Sequence, residues 1–231
     1  MRRRSDGPIE VFFLTDPLCP WSWAMRPLYE SLRADRDVEV RDILTGWLPD
    51  LGTRGLASVR DEWAAAEAKA RVGIDSAYWD RVAPRTSLIA CAAVKAAELQ
   101  GEGKGRLYLT GVRAAAFVDG KDVANLDVLV AAAREATLAD ELFRGDLGVG
   151  RYTLEDVLRS IDPAIPLSES VWRFGRGTGL RAWRNLAEDL RNAERQGLPS
   201  PAFHIMRGKK EVKLRGLVTE EEIRKALRSV R

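Results

Sequence analysis

The stretch FFLTDPLCPWSWAMRPLYESL, residues 12–32, decides the fold of this chain. With the residues just before it, it begins as a short apolar run, IEVFFLT at 9–15, which is typical of a buried β-strand. A tight turn with two prolines follows, and then a segment of helical composition. Cys19 lies at the junction of strand and helix, where the free backbone N–H groups of a helix N-terminus face its thiol. Ser22 stands three residues later.

The residues after this junction complete a β-α-β unit. Pro27 falls in the second turn of the helix, and it predicts a kink there because proline has no N–H to donate. The segment VEVRDILTG, 38–46, predicts a second strand with partial alternation of apolar and polar residues. The first unit is therefore complete by about residue 46.

The middle of the chain has a different composition. Residues 53–160 are alanine-rich with helical spacing, and glycine, asparagine or aspartate separates the segments, which predicts an all-helical block. The segment SIDPAIPLSES, 160–170, contains two prolines and predicts a loop. An amphipathic helix is predicted at 178–197, closed by Gly197.

The C-terminal part predicts two strands and a helix. SPAFHIM, 200–206, and EVKLRGLV, 211–218, are short strand-like runs joined by a hairpin turn at Gly208. A final helix begins after Thr219, and Glu222 three residues on completes the pattern of a capping box. The order of elements is β-α-β, helical block, α-β-β-α.

Composition limits the classes of function. The 231 residues are 45% hydrophobic and 31% charged, as in one large globular domain or one domain with an insertion. No apolar run reaches the length of a membrane span, and the basic N-terminus lacks the pattern of a signal peptide, so a cytoplasmic protein is expected. The net charge of +3 is spread over interleaved arginines and acids, which argues against nucleic-acid binding. Two distant cysteines and one histidine exclude a disulfide scaffold and a zinc site, and no metal is predicted.

Two motifs carry a resemblance to a known family. TDPLCPWSWAMRPL, 15–28, resembles the Asp-Pro-x-Cys-x-x-Cys-(Trp/Tyr) pattern of the DsbA-like branch of the thioredoxin fold. GLPSPAFHI, 197–205, resembles the cis-proline loop of that branch, with Pro201 as the candidate cis proline and Ser200 before it. RTSLIACAAVKAAELQG, 85–101, is similar to a helix of the cytosolic branch that contains the FrnE-type oxidoreductases and the Spx-degradation adaptors.

The resemblance implies an α/β fold in which an all-helical domain is inserted into a thioredoxin fold. On this interpretation residues 1–50 and 166–231 form the thioredoxin-like domain, and residues 51–165 form the inserted helical domain. The departure from the family pattern is Ser22, where the family carries its second cysteine. The kappa-class glutathione transferases and hydroxychromene carboxylate isomerases carry a pattern similar to Ser-Pro-Tyr-Ser-(Trp/Tyr), and CPWSW combines features of both.

These residue types predict single-thiol chemistry. The helix N-terminus favours the Cys19 thiolate and nearby Asp16 opposes it, so a moderately activated, exposed thiol is expected. The Ser22 hydroxyl can donate to the thiolate but cannot form a disulfide, so an external thiol would have to release a mixed disulfide. A serine at this position is also what an engineered trap for a mixed disulfide would carry, and the sequence leaves that open. The predicted catalytic residues are Cys19 and Ser22, and the predicted substrate-binding residues are Pro20, Trp21, Ser200 and Pro201.

The tryptophans in and near the motif could either contact the substrate or belong to the core. Trp21 stands between Cys19 and Ser22, so it is expected to be exposed at the helix tip and to contact substrate. Trp23 and Trp47 could line an apolar rim around the thiol, but aromatic residues at such spacing more often belong to the core. The core interpretation is preferred for both.

Three further positions carry reactive or polar side chains. Cys91 lies inside an alanine-rich helix and is expected to be buried and inert. Thr86 and Ser87 precede that helix and are expected to face the cleft. His204 follows the proline loop on a strand and is expected to be a packed strand residue rather than a general base.

Three functions are compatible with these features. The preferred one is a DsbA-family thiol-disulfide oxidoreductase-like protein that acts through Cys19 as a single nucleophile. The alternatives are a glutathione-dependent transferase or isomerase and a redox-inactive adaptor. No resident cofactor is expected, and the expected partners are a thiol-containing protein or glutathione as co-substrate, with neither nucleic acid nor membrane. Oligomeric state does not follow from the sequence.

Overall fold

The computed structural model describes residues 7–101 and 103–231. The basic run at 1–6, which was interpreted as lacking a signal-peptide pattern, lies outside the described residues. The strands are β1 Ile9–Thr15, β2 Val38–Leu44, β3 Ala202–Arg207 and β4 Lys210–Arg215. The helices are α1 Pro20–Ala24, α2 Arg26–Ala34, α3 Leu51–Arg54, α4 Leu56–Lys69, α5 Tyr78–Arg81, α6 Leu88–Glu98, α7 Lys104–Phe117, α8 Leu126–Glu135, α9 Asp140–Leu147, α10 Leu154–Ser160, α11 Leu167–Thr178, α12 Arg181–Gln196 and α13 Glu220–Val230.

The strands form one mixed sheet in the order β2-β1-β3-β4. β1 and β2 are parallel, as a β-α-β crossover requires, while β3 is antiparallel to both β1 and β4. In this register Phe13 lies opposite Phe203, and their rings stack with centroids 4.6 Å apart. The predicted α/β architecture, with a helical block between two halves of one sheet, is confirmed.

Helices cover both faces of the sheet. Successive side chains of a strand point to opposite faces, so β1 contributes apolar residues to a core on each side. One face of β1 contributes Val11 and Phe13 to a core with α2 and α13. The other face contributes Leu14, which packs with Ala193 of α12 and Ala202 of β3. Within the described part of the chain, no helix combines the length and the apolar composition needed to cross a bilayer.

The helical block packs as a single core with the sheet end of the molecule. One apolar cluster contains Leu44 at the end of β2, Trp23 of α1, Trp63 of α4 and Leu186 of α12. α6 is buried along almost its whole length, because its alanines present little volume on every side. The proposed domain boundaries at 50/51 and 165/166 remain a prediction, since this core is continuous across both.

The interruption predicted at Pro27 is present, and one other local expectation changes. The helix after Cys19 is divided into α1 and α2 at Met25, since Pro27 cannot donate a backbone hydrogen bond to the preceding turn. The loop predicted at 160–170 is shorter, and α11 begins at Leu167 directly after Pro166. The sequence interpretation included no helix over Leu167–Thr178, because the two prolines before it dominated the pattern.

The C-terminal predictions are confirmed. β3 and β4 form a hairpin through Gly208, whose φ of +59° suits glycine. Thr219 caps α13 with both bonds of a capping box: the Glu222 N–H donates to Thr219 Oγ1 at 3.2 Å, and the Thr219 N–H donates to Glu222 Oε2 at 2.7 Å.

Candidate thiol site

The turn between β1 and α1 sets the position of Cys19. The Asp16 carboxylate accepts a hydrogen bond from the Leu18 N–H at 2.8 Å, which closes a local turn typical of aspartate. Cys19 is the N-cap residue of α1 and has extended backbone angles, and Pro20 takes the first helical position, where its missing N–H costs nothing. The thiol therefore stands at the N-terminus of a short helix, as the sequence predicted.

Ser22 and Ser200 meet beside the sulfur although 178 positions separate them in the chain. Their hydroxyl oxygens are 3.0 Å apart and hydrogen-bonded to each other. The peptide bond between Ser200 and Pro201 is cis, and the Pro201 carbonyl accepts a hydrogen bond from the Gly216 N–H at 2.8 Å. The structure thus brings Cys19, Ser22 and the proline loop into one site.

The electrostatics of Cys19 differ from the expectation of an exposed and moderately activated thiol. Cys19 is fully buried, and burial raises the pKa of its thiol to about 11 because water no longer solvates the charged form. Hydrogen bonds from the Ser200 hydroxyl, the Ser22 hydroxyl and the Ser22 N–H lower this pKa, while the charge of Asp16 raises it. The expectation was wrong because it counted the helix end and the adjacent charges but not the elements that close over the thiol.

The aromatic residues take different places around the motif. Trp21 is half-buried against the main core, and the Lys69 ammonium lies 5.9 Å from its ring centroid, so the expected full exposure at the helix tip is wrong. Trp23 is buried and stacks on Phe117 at 5.3 Å, which confirms the core interpretation. Trp47 is only half-buried, so the core interpretation does not hold for its whole ring.

Trp47 forms a wall of an open cleft of about 640 Å³ next to the proline loop. The guanidinium of Arg54 lies 3.9 Å from the Trp47 ring centroid and donates to the Trp47 carbonyl at 2.6 Å. Arg54 also pairs with Glu62, which accepts from the Trp47 indole N–H at 3.2 Å. Ser200 lines the same cleft, so the cleft wall includes a hydroxyl that also reaches the Cys19 sulfur.

Asp16 is the centre of a buried polar cluster that the sequence interpretation did not identify. Its second carboxylate oxygen accepts hydrogen bonds from the Trp47 N–H at 2.8 Å, the Ser87 hydroxyl at 2.8 Å and the Cys91 thiol at 3.3 Å. Burial raises the pKa of Asp16, whereas the hydrogen bond from the Leu18 N–H and those from these other donors lower it. The sequence signal was the local pattern Asp-Pro before the cysteine, which indicated a turn but not the partners from α6.

The residues at the start of α6 serve this cluster. Thr86 and Ser87 are fully buried, and the Thr86 hydroxyl donates to the Leu48 carbonyl at 3.1 Å, so the expectation that both face the cleft is wrong. Cys91 is fully buried, as predicted. Burial and then the negative charge of Asp16 raise the pKa of Cys91 well above its ordinary value.

A second residue missed from the sequence is Arg113, a buried side chain of α7 that reaches the same turn. Its guanidinium donates to the hydroxyl of Thr15 and, at 3.3 Å, to the carbonyl of Asp16. The available signal was a single arginine on the apolar face of α7, between Val112 and the alanines at 114–116. A charged side chain on a buried helix face needs a partner, but the sequence does not say which one.

His204 lies on β3 beside Phe12 and away from the thiol turn, as expected for a packed strand residue. Its Nε2 atom is 2.6 Å from the Glu211 carboxylate on β4. Cross-strand pairing therefore accounts for its polar contact.

Comparisons with known proteins agree with this geometry. A family model described as thioredoxin matches residues 12–150, more than half of the chain. The ClpXP adapter protein SpxH of Bacillus subtilis is 30% identical over 145 residues, which are 61% of this chain and 48% of that protein. The chain therefore spans about half the length of the curated relatives it matches.

Solved structures share the fold over nearly the whole chain. A protein of Nitrosomonas europaea superposes with a TM-score of 0.67 at 17% identity and 96% coverage of both chains. The cytosolic disulfide reductase DsbM of Pseudomonas aeruginosa, solved with GSH, gives a TM-score of 0.61 at 22% identity and 89% coverage of both chains. At these identities the similarity shows the fold, and it confirms the predicted fold class.

Proposed function

Because the chain belongs to the thioredoxin family, in the DsbA-like branch that its motifs resemble, we propose that it exchanges thiols and disulfides through Cys19 as a single nucleophile. The observation that carries this proposal is the placement of the polar groups of Ser22 and Ser200 around one sulfur. The Ser200 hydroxyl, the Ser22 hydroxyl and the Ser22 N–H all favour the ionised form of Cys19. Donors aimed at a sulfur stabilise the thiolate that attacks a disulfide, and also the one that leaves.

The exchange has two balanced steps. The Cys19 thiolate attacks one sulfur of a disulfide R–S–S–R′, which forms Cys19–S–S–R and releases R′–S⁻; this thiolate takes up the proton that Cys19 lost. Because Ser22 has no sulfur, an external thiolate of the glutathione type then attacks the R sulfur of the mixed disulfide. That step forms a new external disulfide and restores the Cys19 thiolate.

The predicted substrate-binding residues have distinct roles in this scheme. In the proposed scheme the Ser200 backbone pairs with an extended peptide or with glutathione in the neighbouring cleft of about 640 Å³, which Ser200 lines. Pro20 fixes the first turn of α1 below the sulfur. Trp21 provides a half-buried apolar contact for the group attached to that sulfur.

Burial of Cys19 imposes an opening step on the reaction. A fully buried sulfur cannot meet a disulfide, so the segment that carries Ser200 or the first turn of α1 has to move before attack. Opening also restores water around the sulfur, which removes the main cause of its raised pKa. Exchange is therefore expected to be gated by local motion.

The experiment that tests the proposal is adduct formation with glutathione disulfide. The Cys91→Ala variant is incubated with the reagent and analysed by intact mass, and Cys19→Ser serves as the matched control. One glutathionyl group on Cys91→Ala, none on Cys19→Ser and release by reduced glutathione are expected. Absence of the adduct after long incubation at mildly alkaline pH would exclude single-thiol exchange.

Burial of Cys19 also favours a second candidate, a redox-inactive adaptor. The curated relatives are named ClpXP adapter proteins, although their similarity to this chain covers about half of their length. An adaptor would bind a client and deliver it without using the thiol. Acceleration of ClpXP proteolysis by the wild type and by Cys19→Ala to the same extent would support this candidate, while dependence on Cys19 would favour exchange.

The third candidate is a glutathione-dependent transferase or isomerase. The hydrogen-bonded pair of Ser22 and Ser200 and the cleft beside it are the observations in its favour, because they could hold the glutathione thiol without a bond to Cys19. Calorimetry with reduced glutathione on Cys19→Ser tests it, since this candidate requires binding that survives loss of the cysteine. For each candidate we propose a cytoplasmic setting, where free glutathione is abundant.

A further inference from the structure

Arg113 connects the helical block to the thiol turn. It projects from α7, is 7% exposed, and donates hydrogen bonds to the Thr15 hydroxyl and the Asp16 carbonyl. Both acceptors are neutral oxygens of the short segment that leads into Cys19. The arginine therefore holds the segment in place, but neither acceptor carries a charge to balance its own.

A second buried cation in the same molecule provides a contrast. Lys95 of α6 lies 2.6 Å from the Asp189 carboxylate and 2.8 Å from that of Glu98, so two anions compensate its charge directly. Among the described residues, no carboxylate lies within ion-pair distance of Arg113, and its Nε atom is buried without a hydrogen-bond partner. A buried cation that lacks a direct anion is costly, and a perturbed buried charge of this kind marks a candidate functional site.

A small cavity connects Arg113 with the motif. A cavity of about 10 Å³, about the size that one water occupies, is lined by Arg113, Ser22, Tyr29 and Thr110. Ser22 is one of the residues that donate to the Cys19 sulfur. Arg113 therefore shares this cavity with Ser22 and contacts Thr15 and Asp16, which lead into Cys19.

We propose that Arg113 is the positioning residue of the thiol site, whose buried positive charge stabilises the Cys19 thiolate during exchange. The inference rests on the proposed function, and it makes α7 of the helical block a part of the site. The step it assists is attack by the Cys19 sulfur on a disulfide, in which no atom of Arg113 is consumed or transferred. Charge at short range in a low-dielectric interior is more effective than the same charge in water.

Other charged and titratable groups face the same region, and they determine how strongly Arg113 stabilises the Cys19 thiolate. Burial lowers the pKa of Arg113, and among the groups that raise it Asp42 of β2 comes first, followed by Tyr29 of α2, Cys19 and Asp16. Arg26 and Glu30 line the small cavity from the α1–α2 side, and Cys91 approaches Asp16 from α6. The negative charge of Asp42 therefore offsets the positive charge of Arg113 at Cys19. Removing the charge of Asp42 should change the reactivity of Cys19 in the direction opposite to removing that of Arg113.

The test measures the rate at which iodoacetamide, a neutral reagent, alkylates Cys19 in the Cys91→Ala background at several fixed pH values. Arg113→Gln is expected to slow alkylation about tenfold at each pH, a loss that corresponds to a rise of about one pKa unit. Arg113→Lys is expected to retain most of the rate. Arg106→Gln, a half-buried arginine on the same helix, is the matched control and is expected to leave the rate unchanged.

The direction of the effect separates charge from packing. Loss of packing around a buried thiol loosens the site and speeds alkylation, so slowing in Arg113→Gln with rescue in Arg113→Lys has an electrostatic cause. If Arg113→Gln does not fold, Asp42→Asn takes its place and is expected to speed alkylation several-fold. An unchanged or faster rate in Arg113→Gln, or an unchanged or slower rate in Asp42→Asn, would overturn the inference.

The same proteins are treated in parallel with glutathione disulfide, so that the two proposals can fail separately. Alkylation without any glutathionyl adduct on the parent protein would exclude single-thiol exchange while the effect of Arg113 on Cys19 is still measured. Adduct formation on the parent, together with an alkylation rate that does not depend on Arg113, would leave the proposed function intact and exclude only the role of the arginine.

Discussion

The two cysteines of this chain are both fully buried, and yet the groups that surround them favour different charge states of the thiol. Cys19 stands at a helix N-terminus and receives hydrogen bonds from Ser22 and Ser200, which favour its charged form. Cys91 lies inside α6 and donates to the Asp16 carboxylate, which favours its neutral form. Burial raises the pKa of both, so burial alone does not distinguish a reactive thiol from a structural one; the polarity of the neighbours does.

The largest difference between the two cysteines is expected in their rates of alkylation in the native protein. Cys19 is covered by a short helix and a loop, whereas Cys91 sits in the centre of the largest core. Because local opening requires less free energy than unfolding of a core helix, Cys19 is expected to react about a hundredfold faster. Peptide mass spectrometry after a timed iodoacetamide pulse measures the ratio, and the same pulse in concentrated urea gives the intrinsic rates. Equal native rates would mean that the two sites open together.

The next largest effect is expected from Asp16→Asn, which alters the group that both thiols share. The Asp16 carboxylate accepts from the Leu18 N–H, the Trp47 N–H, the Ser87 hydroxyl and the Cys91 thiol. An amide has one acceptor oxygen in place of two and adds two donors, so a loss of about 2 kcal/mol in the free energy of unfolding is expected.

Urea denaturation followed by tryptophan fluorescence measures this loss, and Asp61→Asn, at an exposed position on α4, is the control. The Asp16→Asn variant also distinguishes the two thiols by their alkylation rates. The charge of Asp16 is the second-largest cause of the raised pKa of Cys91, but for Cys19 it ranks behind burial and the hydrogen bonds from Ser200 and Ser22. A greater acceleration of alkylation at Cys19 than at Cys91 would contradict this description.

The alkylation rate of Cys19 is also expected to depend on pH. Burial raises the pKa of Cys19 to about 11, so the thiolate is the minor form at neutral pH and its fraction grows as pH rises towards that value. The alkylation rate of Cys19 is expected to increase about tenfold per pH unit between pH 7 and 9, with no plateau in that range. Stopped-time alkylation of Cys91→Ala measures it. A plateau below pH 8 would show that the open, solvated state is the major form of the protein and that the buried state is not.

The smallest effect is expected from the hydroxyl donors. The Ser200 hydroxyl is the largest of the hydrogen-bond contributions that lower the pKa of Cys19, ahead of the Ser22 hydroxyl. Removing one hydrogen bond to a charged group costs about 1.5 kcal/mol or less at a partly solvated site, so Ser200→Ala should slow Cys19 alkylation several-fold and Ser22→Ala less. Cys91 is the internal reference. A change at Cys91 of the same size would indicate a general change in the fold.

Local motifs were predictable because neighbouring residues determine them. The β1 strand, the helix start at Cys19 and the capping box at Thr219 depend on backbone preferences within a few residues. The one error of this kind, the missing α11, arose after two prolines. A proline shows that a regular pattern is interrupted, but not whether a new helix begins directly after it.

The motifs of the sequence predicted the fold class, and their resemblance to the DsbA-like branch implied that Cys19 and Ser22 lie beside the Ser200–Pro201 loop. The burial of Cys19, the hydrogen bond of Cys91 to Asp16 and the contact of Arg113 with the turn before Cys19 are visible only in the folded protein. These features could not be predicted because desolvation and charge act through space. They sum over side chains from α6, α7 and the proline loop, which lie far apart in the chain and carry no local signature of their shared position.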